Sequence, residues 1–452
     1  MKKIYPVLII SCFLFVHCTN LSTWNDVFHA DQAHTGVYRS AAGRGLGSLR
    51  WKYKTSGKIF SSPVIKDGLA YIGSEDSNLY AIRTYSGALS WKFHTGGAVS
   101  SSPAIFNGMV YFTSYDGYCY ALDAVTGKEL WKFKTEGEKK VGAKGLWTMK
   151  PADMYMDDLW DFFLSSPVIG VNGPGINKGP TIYFGSSDGH LYALDAISGS
   201  LKWKFKTNGI IHSSPALYEG IVYFGSWDTY LYAVDAETGK EVWKFKTREQ
   251  PVYHVLEGIQ ASPAIADGVL YFGARDGFFY ALNAKSGDSL WSFSADNSWV
   301  LTTAAIIDST VFFGTSDSYL LYALDTKTGR KKFSMKASGY LYSSPAIARR
   351  TAYFGDFTGN FYALDLRSGG KNWQTFSTDS RKLHAAGILN QKGELDFSFA
   401  GAKEDLTLYA SSVKVMDAFY TMGSIVSSPA IYGNAIYFGS ADGYLYAIEL
   451  LP

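Results

Sequence analysis

The sequence predicts an all-β fold: an eight-bladed β-propeller of four-stranded antiparallel blades, with the ring closed by an N-terminal strand. Three observations predict it. Along the 452 residues a Ser-Ser-Pro-like tripeptide recurs eight times, an aromatic residue at a constant offset recurs eight times, and short alternating apolar runs lie between them. A β-unit with four strand-like runs that is copied along a chain is typical of propeller blades. The apolar residues alternate instead of following helical spacing, which disfavours an α-helical fold.

Residues 213–245 illustrate the repeating unit. Four runs rich in aromatic and β-branched residues cover positions 213–217, 221–225, 230–234 and 241–245. Gly220, Asp228 and Gly239 stand between these runs. Residues of these types favour the tight turns that join antiparallel strands. The spacing therefore predicts four strands in each unit.

The units are marked at both ends. The opening tripeptides begin at Ser61, Ser101, Ser165, Ser213, Ala261, Thr302, Ser343 and Ser427. The closing aromatic residues are Trp51, Trp91, Trp131, Trp203, Trp243, Trp291, Phe333 and Trp373. A buried tryptophan covers roughly 150–250 Å² of surface. We therefore expect the closing aromatic residues to dock each blade against its neighbour.

The two markers are out of phase. Trp51 precedes the first opening tripeptide, whereas the last unit stops near Ile448 without a fourth run. The segment around Trp51 is therefore predicted to supply the outermost strand of the last blade. This arrangement closes the ring between the first and last units.

The N-terminus carries a targeting signal. Basic residues at positions 2–3 precede an apolar run over 4–16, and Cys18 follows it. The run is too short to span a membrane as a helix, and the pattern resembles a bacterial lipoprotein signal, in which the cysteine becomes the lipidated first residue. His17 departs from the small residue usual at that position, so an ordinary secretory signal cleaved nearby stays as the alternative.

The predicted organisation has three parts. Residues 1–18 form the lipoprotein-type signal, 19–48 a lead-in segment or linker, and 49–452 the propeller, with long insertions at 137–164 and 377–426. Thr19 and Asn20 are not the aspartate that holds enteric lipoproteins in the inner membrane. We therefore expect an outer-membrane lipoprotein of the bacterial cell envelope that faces the periplasm or the cell surface.

The turn before each closing aromatic carries a family resemblance. The sequences ALDAVTGKELW (121–131), ALDAISGSLKW (193–203) and AVDAETGKEVW (233–243) resemble the docking pattern of quinoprotein-like, PQQ-type β-propeller repeats. With its lipoprotein signal and eight such units, the chain is also similar to the propeller lipoproteins of the outer-membrane β-barrel assembly machinery. The resemblance implies the fold more strongly than a function, because one fold hosts unrelated activities.

The resemblance does not extend to a cofactor site. PQQ-dependent dehydrogenases of this repeat family carry two adjacent cysteines at the quinone and acidic residues that hold calcium. This chain has no adjacent cysteines, and Cys119 is the only cysteine within 49–452. We therefore expect a non-enzymatic protein with no cofactor and no bound metal. A quinone-binding oxidoreductase or redox sensor is the alternative, and a surface ligand-binding protein is the second.

Long links between units indicate where the protein binds a partner. The closing aromatic normally precedes the next opening residue by 10 positions, as from Trp91 to Ser101, but the gaps after Trp131, Trp243 and Trp373 are 34, 18 and 54. Strand alternation places all three links on one face. Aromatic residues beside charged ones on such loops are typical of interfaces. The candidate contacts are Trp147, Tyr155, Asp157, Asp158, Trp160, Tyr253, His254, Arg381 and His384.

Two alternatives remain for this face. The first insertion could instead fold back and bury its aromatic residues over the channel. His212, His254 and His384 could in principle ligate a metal, but they come from separated units and no local spacing supports this. The net charge of +2 indicates no nucleic-acid surface. We expect a protein that is monomeric on its own and binds envelope proteins through this face.

Overall fold

The computed structural model describes residues 26–144, 155–171, 179–249, 257–396 and 408–452. Eight four-stranded antiparallel sheets follow one another as blades of a ring, which confirms the predicted propeller. Within the first seven blades the strands pair in sequence order, and in every blade the innermost strand lies beside the innermost strands of the neighbouring blades. The first strands therefore line the central channel. None of the helices in the described residues has the length and apolar composition needed to span a membrane.

The strands are short, as the repeat predicts. The first four blades comprise β2 (Val64–Lys66), β3 (Leu69–Ser74), β4 (Asn78–Arg83) and β5 (Leu89–His94); β6 (Ala104–Phe106), β7 (Met109–Ser114), β8 (Tyr118–Asp123) and β9 (Glu129–Lys134); β12 (Val168–Val171), β13 (Pro180–Gly185), β14 (His190–Asp195) and β15 (Leu201–Lys206); and β16 (Ala216–Tyr218), β17 (Ile221–Gly225), β18 (Tyr230–Asp235) and β19 (Glu241–Lys246). Between blades two and three lies a hairpin of β10 (Gly142–Lys144) and β11 (Tyr155–Asp157).

The remaining blades follow the same pattern. They comprise β20 (Ala264–Ala266), β21 (Val269–Gly273), β22 (Phe278–Asn283) and β23 (Ser289–Ser294); β24 (Ala305–Ile307), β25 (Thr310–Gly314), β26 (Leu320–Asp325) and β27 (Lys331–Lys336); β28 (Ala346–Ala348), β29 (Thr351–Gly355), β30 (Asn360–Asp365) and β31 (Trp373–Ser377); and β32 (Ala430–Tyr432), β33 (Ala435–Gly439) and β34 (Tyr444–Leu450) with β1 (Leu46–Lys54). Helices α1 (Asp379–His384) and α2 (Leu408–Thr421) lie in the insertion between blades seven and eight.

The opening tripeptides form a belt of hydrogen bonds around the channel. The backbone N–H of the second residue donates to the side-chain oxygen of the equivalent residue one blade on. Seven such bonds of 2.9–3.0 Å are present, including the one from Ser428 N to Ser62 Oγ that joins the last blade to the first. The serine at this position therefore satisfies a buried donor of the neighbouring blade.

The outer closure is also as predicted. β1 pairs antiparallel with β34, and Trp51 lies opposite Ala447. The last sheet has the order β1-β34-β33-β32, so a strand from the start of the propeller completes the final blade. The observed strand begins at Leu46, a few residues before the predicted boundary at 49.

The closing tryptophans dock neighbouring blades through one repeated contact. The Trp203 indole donates from Nε1 to the Ala236 carbonyl in the next blade at 3.2 Å. Gly239 of that blade has a φ of 70°, and a Cβ there would lie 2.7 Å from the Trp203 ring. Glycine therefore serves both the turn and the docking contact. The same donor contact is made by Trp51, Trp91, Trp131, Trp243 and Trp291.

Trp373 does not follow this pattern, and its predicted docking role is wrong. It lies opposite Leu364 and is 44% exposed, whereas Gln374 lies opposite Ala363. In the other blades the docking aromatic lies opposite the alanine, and a bulge follows. A shift of one residue turns a side chain to the opposite face of a sheet. Gln374 Oε1 instead accepts a hydrogen bond from Leu46 N at 2.7 Å.

The described part of the lead-in packs inside the ring. Residues 26–45 cross the channel at the face that carries the turns between strands one and two and between strands three and four, which we call the turn face. Carbonyls of this segment accept from backbone N–H groups at the first strands of five blades. The donor and acceptor pairs are Ile105 and Asp26, Leu217 and Gln32, Ile265 and Ala33, Ile306 and Thr35, and Ile347 and Gly36.

Two buried histidines hold the lead-in in place. His29 Nδ1 lies 2.8 Å from the His34 carbonyl and Nε2 lies 3.0 Å from the Pro345 carbonyl. His34 Nδ1 lies 3.0 Å from the Pro263 carbonyl. Burial lowers the pKa of His29 to about 4, against the effect of its carbonyl acceptors. Burial and the neighbouring His29 lower the pKa of His34 to about 3.

These shifts predict instability in acid. In the unfolded chain both imidazoles bind protons below a pH of about 6.5, whereas the folded protein binds them only near 4 and 3. The free energy of unfolding should therefore fall as pH decreases from about 6.5 to about 4, by up to about 1.4 kcal/mol per pH unit for each histidine. Urea unfolding at pH 7 and at pH 4.5 measures this fall in the free energy of unfolding. His29→Gln with His34→Gln should reduce the pH dependence, whereas His94→Gln, at an exposed histidine, should not.

The two tryptophan environments give a second prediction. Trp203→Ala removes a docking ring and its hydrogen bond, so we expect the free energy of unfolding to fall by about 3–5 kcal/mol. Trp373→Ala should cost less than about 1 kcal/mol, because this side chain is 44% exposed. Equal losses in urea unfolding would contradict the register described for β31.

Candidate functional site at the channel mouth

The face opposite the turn face carries the links between strands two and three and between successive blades; we call it the loop face. The first insertion contributes the β10–β11 hairpin, in which Lys144 pairs with Tyr155. The insertion between blades seven and eight contributes α1 and α2. The strands hold both insertions over the same end of the channel.

Two equivalent positions in each blade surround the mouth of the channel on the loop face. One lies in the turn between strands two and three, two positions after the residue equivalent to Gly73: Glu75, Tyr115, Ser187, Trp227, Arg275, Ser316, Phe357 and Ala441. The other directly precedes the opening tripeptide: Phe60, Ser100, Leu164, His212, Gln260, Leu301, Tyr342 and Val426. Our sequence analysis missed most of them. Superimposing the repeats would have found them, since these positions vary inside an otherwise repeated pattern.

One half of the mouth is apolar and is filled by both insertions. Trp160 makes edge contacts with Tyr340, Tyr342 and Phe419, at centroid distances of 5.1, 6.0 and 6.4 Å. Phe162 lies 5.2 Å from Phe60 in the first blade. Aromatic pairs in this geometry stabilise beyond the area they bury. The two insertions are thus joined to each other and to the ring by one aromatic cluster.

The other half is polar and centres on Arg275. Its guanidinium lies 2.6 Å from Asp158 of the first insertion, and both side chains are 0% exposed. The guanidinium stacks between the rings of Trp227 and Trp299, at 4.4 and 4.3 Å. Its Nη2 donates to Gln260 Oε1 at 2.6 Å. Burial raises the pKa of Asp158, and Arg275 opposes that shift by favouring the carboxylate.

A second buried chain of polar contacts joins the first insertion to blades three and four. His212 Nδ1 lies 2.8 Å from Asp161, and Nε2 lies 2.7 Å from Ser187 Oγ. Ser187 donates from N and Oγ to Glu138, at 2.8 and 2.7 Å. Burial lowers the pKa of His212, but the Asp161 and Glu138 carboxylates together raise it, and the net shift is upward. Both ring nitrogens can then donate, one to Asp161 and one to Ser187.

The contacts from Ser187 to His212 to Asp161 have the same sequence of side chains as a hydrolase triad. Their geometry is not that of a nucleophile and its base. Because the Ser187 hydroxyl donates to Glu138, His212 is not placed to remove its proton. The three residues are 3%, 2% and 1% exposed. A nucleophile must be reached by its substrate. This chain of contacts fixes the insertion to the ring.

The residues at the mouth do not fit a quinone. Trp160 and Phe162 lie in ring contact with the surrounding aromatic residues, so side chains of the protein fill the mouth. Cys119 lies 0% exposed among apolar residues between two blades. Burial raises the pKa of its thiol well above the ordinary value, which makes it inert.

One group of possible metal ligands occurs in the described residues. Atoms of Glu136, Asp188 and His190 lie within 4.8 Å of one another. Asp188 is already bound within its turn, where Oδ2 accepts from Tyr192 Oη at 2.7 Å and from Glu136 N at 2.9 Å. Lys204 lies against the Glu136 carboxylate at 2.5 Å. These contacts are those of a stabilised turn.

The predicted contact residues separate into three groups. The first group is at least partly exposed: Tyr155 is 51% exposed, and Asp157 and His384 are exposed. Arg381 is partly exposed, and its Nη1 donates to the Thr358 carbonyl at 2.7 Å. Asp158 and Trp160 are buried in the mouth, so the prediction that they contact a partner is corrected: the fold-back alternative describes them. Trp147, Tyr253 and His254 lie outside the described residues. His212 and His384 are not brought together as metal ligands.

Comparisons with known proteins agree with the architecture. The sequence model described as "Beta-alanine-activating enzyme, beta-propeller" matches residues 172–450. The chain belongs to this β-propeller family. Models described as "Outer membrane protein assembly factor BamB" and "Glucose/ethanol/alcohol dehydrogenase, beta-propeller domain" match residues 36–148 and 94–217 of the same propeller. No curated protein matches the chain at a significant level.

Solved structures share the propeller at low identity. BamB from Moraxella catarrhalis is 15% identical, with a TM-score of 0.62 over 90% of this chain and 100% of its own. The quinohemoprotein alcohol dehydrogenase from Comamonas testosteroni is 15% identical, with a TM-score of 0.67 over 94% and 80%. Alcohol dehydrogenase ADHIIG from Pseudomonas putida HK5 is 14% identical, with a TM-score of 0.68 over 95% and 81%. These likenesses show a PQQ-like propeller that resembles BamB in fold.

The Asp158–Arg275 pair gives a prediction about the insertion. Arg275→Met or Asp158→Leu alone leaves the other charge buried without its partner, which should lower the free energy of unfolding by about 3–5 kcal/mol. The double variant should recover most of that loss, as a double-mutant cycle in urea would show. Lys202→Met, at the partly exposed Lys202–Asp195 pair, should cost less than about 1 kcal/mol. Additive single losses at Asp158 and Arg275 would contradict the pairing.

Proposed function

We propose that the protein is a non-enzymatic, lipid-anchored scaffold of the bacterial cell envelope that binds other proteins through its loop face. The observation that carries this proposal is that two long insertions are fixed over one face by a buried ion pair and an aromatic cluster. Ordering long loops costs roughly 1–2 kcal/mol of backbone entropy per residue. A binding surface held ready in advance gives a physical reason for that cost.

The fixed insertions leave a set of exposed groups on the loop face. Tyr155 of the hairpin is 51% exposed and Leu383 of α1 is 76% exposed. Lys382 and His384 of α1 and Asp157 of the hairpin are also exposed. Large apolar side chains surrounded by charged ones match the composition of protein interfaces. The buried contacts hold these groups rigidly, and the exposed groups supply the recognition.

Outer-membrane protein assembly is the finer part of the proposal. It is supported by the match of residues 36–148 to the model described as "Outer membrane protein assembly factor BamB" and by the lipoprotein-type signal that the sequence predicts over residues 1–18. The partner would then be a component of the outer-membrane β-barrel assembly machinery. The insertions are the part of the chain that would determine which component it binds.

The hairpin offers a direct test. Lys144 and Tyr155 lie opposite each other, so residues 145–154 can be replaced by Asn-Gly, which closes a two-residue hairpin. We expect the free energy of unfolding to change by less than about 0.5 kcal/mol, because the buried residues 158–162 remain. Binding to the purified assembly machinery should weaken at least tenfold, because the replaced residues include the predicted contact Trp147. The binding of Leu383→Asp, which changes an exposed group of α1, should weaken to the same extent.

Val242→Asp is the matched control, since Val242 is 49% exposed on the outer strand of blade four, away from the loop face. Its binding should equal that of the unmodified protein. Equal binding by all variants would refute the loop face as the binding surface. No binding by the unmodified protein would refute the assembly machinery as the partner.

A further inference from the structure

The lead-in enters the ring at the turn face, between the first two blades. The Asp26 carboxylate lies 2.9 Å from Lys66 Nζ, and the Asp26 carbonyl accepts from Ile105 N at 2.7 Å. Asp26 lines an open cavity of about 710 Å³ together with Arg83, Tyr85 and Val125. The chain therefore reaches the propeller from the side on which the turns lie.

The position of Asp26 limits how the protein can lie on a membrane. Cys18 precedes Asp26 by eight positions, which is at most about 28 Å of fully extended chain. A blade strand of six residues is itself about 20 Å long. A lipid on Cys18 would therefore hold the turn face near the bilayer, whereas the loop face could approach it only with the tether almost fully stretched around the ring.

One sector of the turn face is apolar. The same position of the turn between strands three and four is occupied by Tyr85, Val125 and Ile197 in the first three blades, and these side chains are 79%, 72% and 49% exposed. The next four blades carry Glu237, Lys285, Lys327 and Arg367 there. Three adjacent blades thus present apolar side chains where the others present charges. Such clustering marks a surface that contacts protein or membrane.

A second sector of the turn face is basic. Exposed cations on the turns of blades five to seven are Lys285, Lys327, Arg330, Arg349, Arg350, Arg367 and Lys371. The acidic residues on those turns are Asp267, Asp288, Asp308, Asp325 and Asp365, which leaves an excess of two positive charges (7 − 5). Basic side chains near an anionic membrane surface contribute about 1 kcal/mol each.

We propose that the turn face lies against an anionic bilayer surface, with Tyr85, Val125 and Ile197 in the headgroup region and the basic turns over anionic headgroups. This inference rests on the lipid anchor at Cys18 in the proposed function. The orientation directs the loop face away from the membrane, toward its protein partner. The turn face then works as a membrane platform and the opposite face as the binding surface.

The test uses the full-length lipidated protein in vesicles of phosphatidylglycerol and phosphatidylethanolamine. A fluorophore is attached at Val125→Cys on the turn face or at Lys392→Cys, an exposed site on the loop face, and quenched by nitroxide-labelled lipids. Cys119 is fully buried, so the introduced thiol is the one that reacts. We expect quenching at position 125 to exceed that at position 392 at least twofold. A third label at Lys327→Cys should be quenched less when phosphatidylcholine replaces the anionic lipid.

Fractionation of Cys18→Ala separates the possible failures. Release of this variant from membranes together with stronger quenching at position 125 supports the inference. Release together with equal quenching, or with stronger quenching at position 392, overturns the orientation while leaving the anchor in place. Retention of Cys18→Ala in membranes washed with high salt and urea, which remove proteins held only by surface charges or by a partner, refutes the anchor, and the inference fails with it.

Discussion

The inner edges of the eight blades face one another across the channel, and the polar backbone groups of those edges need partners. The belt formed by the opening tripeptides supplies many of them, because seven of the eight blades donate a backbone N–H to a hydroxyl of the next. The bond from Ser428 to Ser62 completes the circle. Each copy of the repeat therefore brings the same backbone groups that need hydrogen-bond partners. These groups find their partners in neighbouring blades only when the ring is closed.

Both ends of the channel follow from the same constraint. On the turn face, carbonyls of the lead-in accept hydrogen bonds from backbone N–H groups of the first strands. The belt does not pair these N–H groups. On the loop face the inner positions differ from blade to blade, with Arg275 and His212 on one side and Phe357 and Tyr342 on the other. The first insertion matches this division, since it brings Asp158 to the cation and Trp160 to the aromatic residues. The mouth is thus closed by opposite charges on its polar side and by aromatic packing on its apolar side.

A closed channel changes where function must be sought. In a propeller with an open mouth, the residues around the channel form the natural ligand site. Here those residues bind the protein's own insertion, so binding to other molecules falls to the outer surface, which includes the outer parts of the loop face and the turn face. Exposed aromatic and aliphatic side chains occur on both, at Tyr155 and Leu383 on one side and Tyr85 and Val125 on the other.

The sequence by itself determined the fold class, the number of blades and the closure of the ring. Those properties rest on local signals, namely turn residues and alternating strands, that recur at a fixed spacing and need no knowledge of distant contacts. The docking role of Trp203 follows from the same repeated pattern. The exposed parts of the loop face were also predicted in outline, because strand alternation alone places the long links on one side.

Only the tertiary structure decided whether individual side chains are buried or exposed. Trp373 has the spacing of a docking residue, yet a register shift of one position exposes it, and spacing does not reveal register. Asp158 and Trp160 have the composition of an exposed interface loop. They are buried because Arg275 and Tyr340, more than a hundred positions away in the chain, hold charges and rings that complement them. Residues so distant in sequence meet only in the closed ring, and no local pattern encodes which side chains then lie opposite each other.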